Sequence, residues 1–362
     1  MSLNKPNYKY KPQLDGLRTL AVAMVIMSHW APNMSIFGRG AHIGVQLFFV
    51  LSGYLITAIL IDARAKAESI GSGMGMTIKS FYARRFLRIF PLYYLVLLLM
   101  LAIGAPNILE HLPWHAIFFT NIKIAENGWI GEASHLWSLA VEEQFYLIWP
   151  LVILLTPRRF LLITVISFVL ASPLFKVLYG IYEGEMMVKV LPISSFHSLG
   201  TGALLTFIDR SNFRNMQRTI AMASITGLIT LLALFFSASS NLWFGIVDDF
   251  ALTLCLVGLV YAASKGFKGT IGNVLASPLM LYLGKISYGL YLLHNFVPFI
   301  NTTWLNIIGA PPMETLGPYV FFALNSLVLL LLSSLSWHFF ESKFNVYKKH
   351  FPYTQNKVLV PT

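Results

Sequence analysis

Arg18 and His29 stand eleven residues apart in an otherwise apolar stretch, with Asp15-Gly16-Leu17 immediately before the arginine. On a helix that spacing is a rise of about 16 Å and an angular offset of about 20° after three turns, so both side chains point the same way. An imidazole can take a proton near neutral pH, and a guanidinium can hold an anion. The bland reading is a snorkelling arginine and an interfacial histidine beside Trp30.

Three further sets are polar where the sequence is otherwise apolar. Arg84, Arg85 and Arg88 lie in Phe81-Tyr82-Ala83-Arg84-Arg85-Phe86-Leu87-Arg88. The i,i+4 and i,i+3 spacings let Arg88 share a face with either neighbour. At the start of a helix these cations oppose its dipole, and paired guanidinium forks suit phosphate; the alternative is a basic flank that only sets topology. Ser138, Glu142 and Tyr146 also share one face, with Glu142 about 7–9 Å inside its helix by helical rise. Glu143, a third of a turn away, cannot face the same spot. His294 ends Ser287-Tyr288-Gly289-Leu290-Tyr291-Leu292-Leu293, where Tyr288 or Tyr291 can satisfy it structurally.

The elements that must carry these groups follow from composition. The chain has 362 residues, 56% hydrophobic and 11% charged. A soluble domain carries about 25% charged residues. Ten spans of about 20 residues need roughly 200 apolar positions, which is what this composition supplies. The fold class expected is all-α, a polytopic membrane bundle of about ten helices near 13–31, 41–62, 80–104, 137–156, 159–179, 188–208, 217–236, 242–263, 277–300 and 316–341. The stretch 111–122 reads as a short interfacial helix, and Thr156-Pro157-Arg158-Arg159 divides the fourth span from the fifth. The first apolar run leads into Ser28-His29-Trp30-Ala31-Pro32 instead of a cleavage site, so it is expected to stay as a span. The lone Cys255 reads as a small buried hydrophobe.

The formal charge of +11 is explained by topology. Of the 26 Lys and Arg, 20 fall in segments on the side of the N-terminus, three on the other side (Arg39, Lys123, Lys189) and three within spans (Arg18, Lys176, Lys285). The positive-inside rule then puts both termini in the cytoplasm, in the inner (plasma) membrane of the cell, with contact to anionic lipid headgroups and no nucleic-acid partner. Residues 66–78 read as a flexible cytoplasmic loop and 105–136 as the longest outer loop, too short for a domain.

Taken together, the motifs resemble the acyltransferase 3 family of integral membrane acyltransferases. Asp15-Gly16-Leu17-Arg18 with His29 is similar to its opening motif, and Gly44-Val45-Gln46-Leu47-Phe48-Phe49-Val50-Leu51-Ser52-Gly53 to its second-helix signature. Its Arg-x-x-Arg falls on Arg85 and Arg88, its Trp-Ser-Leu…Glu…Phe-Tyr on Trp137, Ser138, Leu139, Glu142, Phe145 and Tyr146, and its Ser-Tyr…Leu-Tyr-Leu…His on Ser287, Tyr288, Leu290, Tyr291, Leu292 and His294. The resemblance covers about residues 11–345, so 1–362 reads as a single acyltransferase domain with no extra soluble domain. Gln46 stands where the family often has an acid, and 340–344 lacks the proline of its terminal motif.

The resemblance implies an O-acyltransferase moving an acyl group, acetyl by preference, from cytoplasmic acyl-CoA to a hydroxyl of a cell-envelope or exported glycan such as polysaccharide, lipopolysaccharide or peptidoglycan. His29 is expected to act as general base with Glu142 orienting it. Arg18, Arg84, Arg85 and Arg88 are expected to hold the donor, and Ser138, Tyr146 and His294 complete the set. Direct transfer and an acyl-histidine intermediate both stay open. No permanently bound cofactor and no metal site are expected. The rival class is a transporter or flippase for a glycan or lipid-linked precursor, whose inverted repeats and matched helix breaks the sequence does not display.

Overall fold

The computed structural model describes residues 10–31, 38–182, 185–210, 215–237, 242–309 and 317–353. Lys5, Lys9, Arg214 and Lys357 of the charge count lie outside the described residues. Those described form helices and turns with no strand among them. In chain order the helices are α1 (Pro12–Trp30), α2 (Gly40–Ser69), α3 (Met74–Ala102), α4 (Ile108–Ala116), α5 (Thr120–Asn127), α6 (Leu136–Leu155), α7 (Arg158–Tyr182), α8 (Glu185–Val190), α9 (Phe196–Asp209), α10 (Met216–Phe236), α11 (Leu242–Lys265), α12 (Gly269–Leu275), α13 (Pro278–Lys285), α14 (Ser287–Leu293), α15 (Phe296–Ile307) and α16 (Pro318–Ser336). A π-turn over Trp337–Glu341, α17 (Ser342–Val346) and a 3-10 turn over Tyr347–His350 follow.

Seven helical stretches are long and apolar enough to cross a membrane: 40–69, 74–102, 132–155, 158–180, 216–236, 242–265 and 318–350. The other three expected spans correspond to α1, which carries Asp15, Arg18 and His29, and to two interrupted regions. Residues 185–209 are divided into α8 and α9, and 278–307 into α13, α14 and α15, with breaks at Ile286 and at His294. The division between α6 and α7 falls at Thr156-Pro157. The third helix begins at Met74, six residues before the expected start at 80.

The outward faces are apolar. Ile225, Leu228, Ile229, Leu232, Phe235 and Phe236 of α10 are all exposed, a continuous surface suited to hydrocarbon. Inside, helices approach through small residues, as membrane helices do. A Cβ on Gly53 of α2 would lie 1.9 Å from the Leu199 carbonyl, and one on Gly202 of α9 would lie 2.2 Å from the Val50 carbonyl. The same device holds α1: Gly16 sits against the Leu275 carbonyl and Gly284 against the Asp15 carbonyl, which fixes the turn that presents Arg18.

Residues 108–127 fold differently from the single interfacial helix expected over 111–122. They form a helical hairpin, α4 then α5, whose tip at Ile117–Phe119 reaches down between α3 and α6. Tyr93, nine residues from the end of α3, donates to the His115 carbonyl at 2.9 Å, and Tyr94 donates to the Ala116 carbonyl at 2.6 Å. Gln144, eight residues into α6, donates to the Phe118 carbonyl at 2.8 Å and pairs with Asn121. By helical rise the tip lies about 12–14 Å below the neighbouring helix ends. Irregular backbone at that depth survives because side chains satisfy its carbonyls. Phe118 has φ +58° and is held there by stacking on Tyr93 at 4.2 Å between ring centroids.

Candidate functional site

Arg18, Arg85, Arg88, Ser52, Ser138, Glu142, Tyr146 and Tyr291 line one narrow cavity between α1, α2, α3, α6 and α14. Ser52 donates to Glu142 Oε1 at 2.8 Å, and the Tyr146 hydroxyl lies 3.0 Å from Ser52 Oγ and 3.2 Å from Glu142 Oε2. The i,i+4 face of Ser138, Glu142 and Tyr146 read from the sequence thus gains a fourth member, Ser52, from α2. Arg85 lies over the Tyr146 ring at 5.1 Å and the Phe81 ring at 5.6 Å. Arg18 is paired with Asp15 at 2.7 Å. Arg85 and Arg88 have no hydrogen bond or ion pair among the described residues, so two guanidinium groups face this cavity with no direct bond to a carboxylate.

Two expectations about the arginines change. Because α3 starts at Met74, Arg84, Arg85 and Arg88 sit in its third and fourth turns, not at its N-terminus, and the dipole plays no part in their placement. Arg84 points away from the other two. It donates to the Lys348 carbonyl at 2.8 Å and the Phe351 carbonyl at 3.3 Å and lies over the Tyr353 ring, holding the chain end against α3.

Below the narrow cavity, and sharing Arg18, Arg88 and Tyr288 with it, a second cavity of about 400 Å³ opens at the α1 N-terminal end of the bundle. Its wall includes Lys285, Lys348, Tyr282 and Trp337, with Lys285 over the Trp337 ring at 4.8 Å. The π-turn brings both Trp337 and the buried Glu341 into this wall; π-turns recur at functional sites. A third cavity, about 620 Å³ and mainly apolar, lies between α3, α6 and the hairpin tip, with Arg85, Glu143 and Tyr146 on its wall. Arg85 and Tyr146 therefore stand between it and the narrow cavity.

His29 lies at the opposite end of α1 from Arg18, exposed, next to the buried Trp30. Its Nδ1 is 2.9 Å from the Val25 carbonyl and 3.3 Å from His294 Nε2. A carbonyl only accepts, so Nδ1 carries the proton and Nε2 holds the lone pair. No hydrogen bond joins His29 to Glu142 among the described residues, and the carboxylate is engaged by Ser52 and Tyr146. The orienting role expected of Glu142 therefore has no direct contact behind it. His294 is fully buried and stands between the two regions. Its ring is 5.0 Å from that of His29, 4.9 Å from that of His135 and 5.4 Å from that of Tyr291, which lines the narrow cavity. The Tyr291 hydroxyl lies 2.6 Å from Ser138 Oγ and donates to the His135 carbonyl at 3.1 Å. Ser138 and Tyr291 close the narrow cavity on the side of the histidines.

Ser52 and His135 were not singled out in the sequence, and Tyr291 was named there only as a structural partner of His294 and a motif residue. Ser52 lay within the second-helix motif and His135 two residues before Trp137, but their partners come from other helices and no single-helix spacing reveals them. Two groups bear on metal binding. His111 and His115 do have the His-x-x-x-His spacing, on α4, where both are buried and His111 Nδ1 and His115 Nε2 lack a partner. His42, Asp248 and Asp249 present ligand atoms within 4.8 Å of one another. There Arg39 pairs with Asp248 and Lys176 with Asp249, so both carboxylates already face cations.

Comparison with known proteins agrees with the motifs. The peptidoglycan O-acetyltransferase OatA of Listeria monocytogenes is 30% identical over 92% of this chain and 56% of its own length. "Putative O-acetyltransferase SAS0844" of Staphylococcus aureus is 28% identical over 93% of the chain and 57% of its own length. "Putative peptidoglycan O-acetyltransferase YrhL" of Bacillus subtilis is 28% identical over 92% and 55%. The chain spans about half the length of these relatives. No solved structure matches. The model of the acyltransferase domain family matches residues 11–352, which include every site residue described above, and the chain belongs to that family of multi-pass membrane proteins.

Proposed function

We propose that the chain transfers an acyl group, acetyl by preference, from acyl-CoA to a hydroxyl of a cell-envelope glycan, and that peptidoglycan, named in two of the relatives, is the first acceptor to test. The observation that carries this reading is the pair Arg85 and Arg88, cations at membrane depth that make no direct ion pair or hydrogen bond among the described residues. With Glu142 the one carboxylate on the narrow cavity's wall, positive charge is in excess there, and such a charge is costly unless it meets its opposite. They stand where the 400 Å³ cavity narrows toward Ser52, Glu142 and Tyr146. A nucleotide with phosphates fits the wider cavity, where Lys285 and Lys348 add charge and Tyr282 and Trp337 offer flat faces for a base. A slim pantetheine arm then passes Arg18 and Arg88 toward Ser138 and Tyr291.

In this reading the wide cavity faces the cytoplasm, the source of acyl-CoA, and His29 faces the glycan on the other side, with both termini cytoplasmic. His29 Nε2 takes the acceptor hydroxyl proton as the oxygen attacks the thioester carbon. The carbon–sulfur bond breaks and the departing thiolate takes that proton back from His29. Glu142 holds Ser52 and Tyr146 in place and balances the arginine charge in the passage. The test is transfer of label from radioactive acetyl-CoA to glycan strands by the purified chain in lipid nanodiscs, with mass spectrometry of surface glycans from cells with and without the protein. Labelled O-acetyl glycan is the expected result; failure to bind acetyl-CoA at all would remove the reading.

A further inference from the structure

We infer that His294 is the positioning partner of His29, the acceptor that holds the Nδ1 proton and leaves Nε2 to act on the acceptor hydroxyl. The inference rests on the reading of His29 as the base.

The hydrogen bonds fix the direction of the pair. His294 Nδ1 lies 2.6 Å from the Tyr291 carbonyl, so it must donate, and its Nε2 keeps the lone pair. That lone pair faces His29 Nδ1 at 3.3 Å, whose proton is shared with the Val25 carbonyl at 2.9 Å. The sequence of groups runs His29 Nδ1–H to His294 Nε2, then His294 Nδ1–H to the Tyr291 carbonyl. When His29 gains a proton at Nε2, its other N–H already has two acceptors. That is the part a third group plays behind a catalytic base, here filled by a neutral imidazole where no carboxylate bonds to His29 among the described residues.

The surroundings hold His294 rigidly. It sits at the break between α14 and α15, and its own carbonyl, freed there, accepts from Trp30 Nε1 at 3.2 Å. The residue after His29 is thereby tied to the backbone of the residue that orients His29. On the far side His135 packs edge-on against the ring, with its Nδ1 2.8 Å from the Glu132 carbonyl and its Nε2 3.1 Å from the Leu292 carbonyl. His294 is held by these contacts and by the Tyr291 ring, and the helix break has an evident use.

Two amide variants separate positioning from filling. In His294→Gln the side-chain oxygen reaches the place of Nε2 and can still accept from His29. In His294→Asn the amide replaces the Nδ1 region, keeps polar contact with the Tyr291 carbonyl and cannot reach His29. Acyl transfer by each is measured in nanodiscs, normalised to monodisperse protein. His294→Asn is expected to lose about 10- to 100-fold in kcat with KM for acetyl-CoA unchanged, the size of one hydrogen bond to a charged group, and His294→Gln to keep most activity. Equal activity in the two variants would overturn the inference. His29→Gln is run beside them: an active His29→Gln removes the base itself, whereas an inactive His29→Gln with a fully active His294→Asn removes only the positioning role.

Discussion

Arg85 lies over the ring of Tyr146, 5.1 Å from its centroid, while the hydroxyl of that tyrosine donates to Glu142. One aromatic side chain thus meets a cation at its ring and a carboxylate at its hydroxyl, with no direct bond between the two charges. The arginine stays available to an incoming anion while the ring contact limits where it can move.

Replacing Arg85 and Arg88 together with Ala is expected to weaken acyl-CoA binding at least 10-fold, since each charge-assisted bond is worth about 1.5–3 kcal/mol. Lys at both positions should recover little, because it lacks the planar fork. Arg84→Ala is the control: its contacts are to the chain end, so donor affinity should hold while residues 347–353 become more open to protease. Isothermal titration with CoA and limited proteolysis read the two outcomes, and equal donor loss in Arg84→Ala would contradict the division of roles.

Glu142→Gln keeps the shape and an acceptor for Ser52 but removes the negative charge. If the carboxylate balances the arginines, donor KM should fall a few-fold as the positive field strengthens, while kcat drops because the passage loses its charge pattern. A rise in KM with kcat unchanged would mean that Glu142 contacts the donor directly.

Tyr291→Phe removes the bonds to Ser138 and to the His135 carbonyl, at a cost of about 1 kcal/mol in stability. With this closure loosened, water gains access to the thioester. Acetyl-CoA hydrolysis without glycan should rise relative to transfer, measurable by thiol release. An unchanged ratio would show that the closure does not govern water entry.

Lys176→Met removes the buried lysine and leaves the half-buried Asp249 with His42 as its remaining ion-pair partner among the described residues. Breaking a buried pair on one side costs about 3–5 kcal/mol, whereas replacing both partners is far milder. Thermal unfolding in detergent should show a large fall for Lys176→Met and partial recovery in Lys176→Met/Asp249→Leu. The same Tm in both would assign the pair no stabilising role.

Much of this was legible in the sequence, and the limits have physical causes. Composition and charge placement identified the helical membrane bundle, and the spacing Ser138–Glu142–Tyr146 identified a true shared face. The start of α3 was placed late because the glycines of 66–78, at positions 71, 73 and 75, read as a flexible loop, whereas α3 already begins at Met74. The His111–His115 pair was overlooked although its spacing is plain. The ninth span was read as continuous because no Pro or Gly stands at His294, where contacts with Trp30 and His135 from other helices accompany the break. The same limit applies to the partner of His29. Spacing along one helix locates a face, but which face it meets is decided between helices, and so Glu142 was expected where His294 stands.

The hairpin tip has a consequence for how the site is assembled. Its carbonyls are capped by Tyr93 and Tyr94 from the helix before it and by Gln144 from the helix after it. Gln144 stands on the helix that follows the hairpin, so the caps of the tip are complete only when α6 lies beside it. The tip is therefore a feature of the assembled bundle, not of residues 108–127 alone. The cavity beside Arg85, walled by the tip, by α6 and by Phe351, exists only in that assembled state.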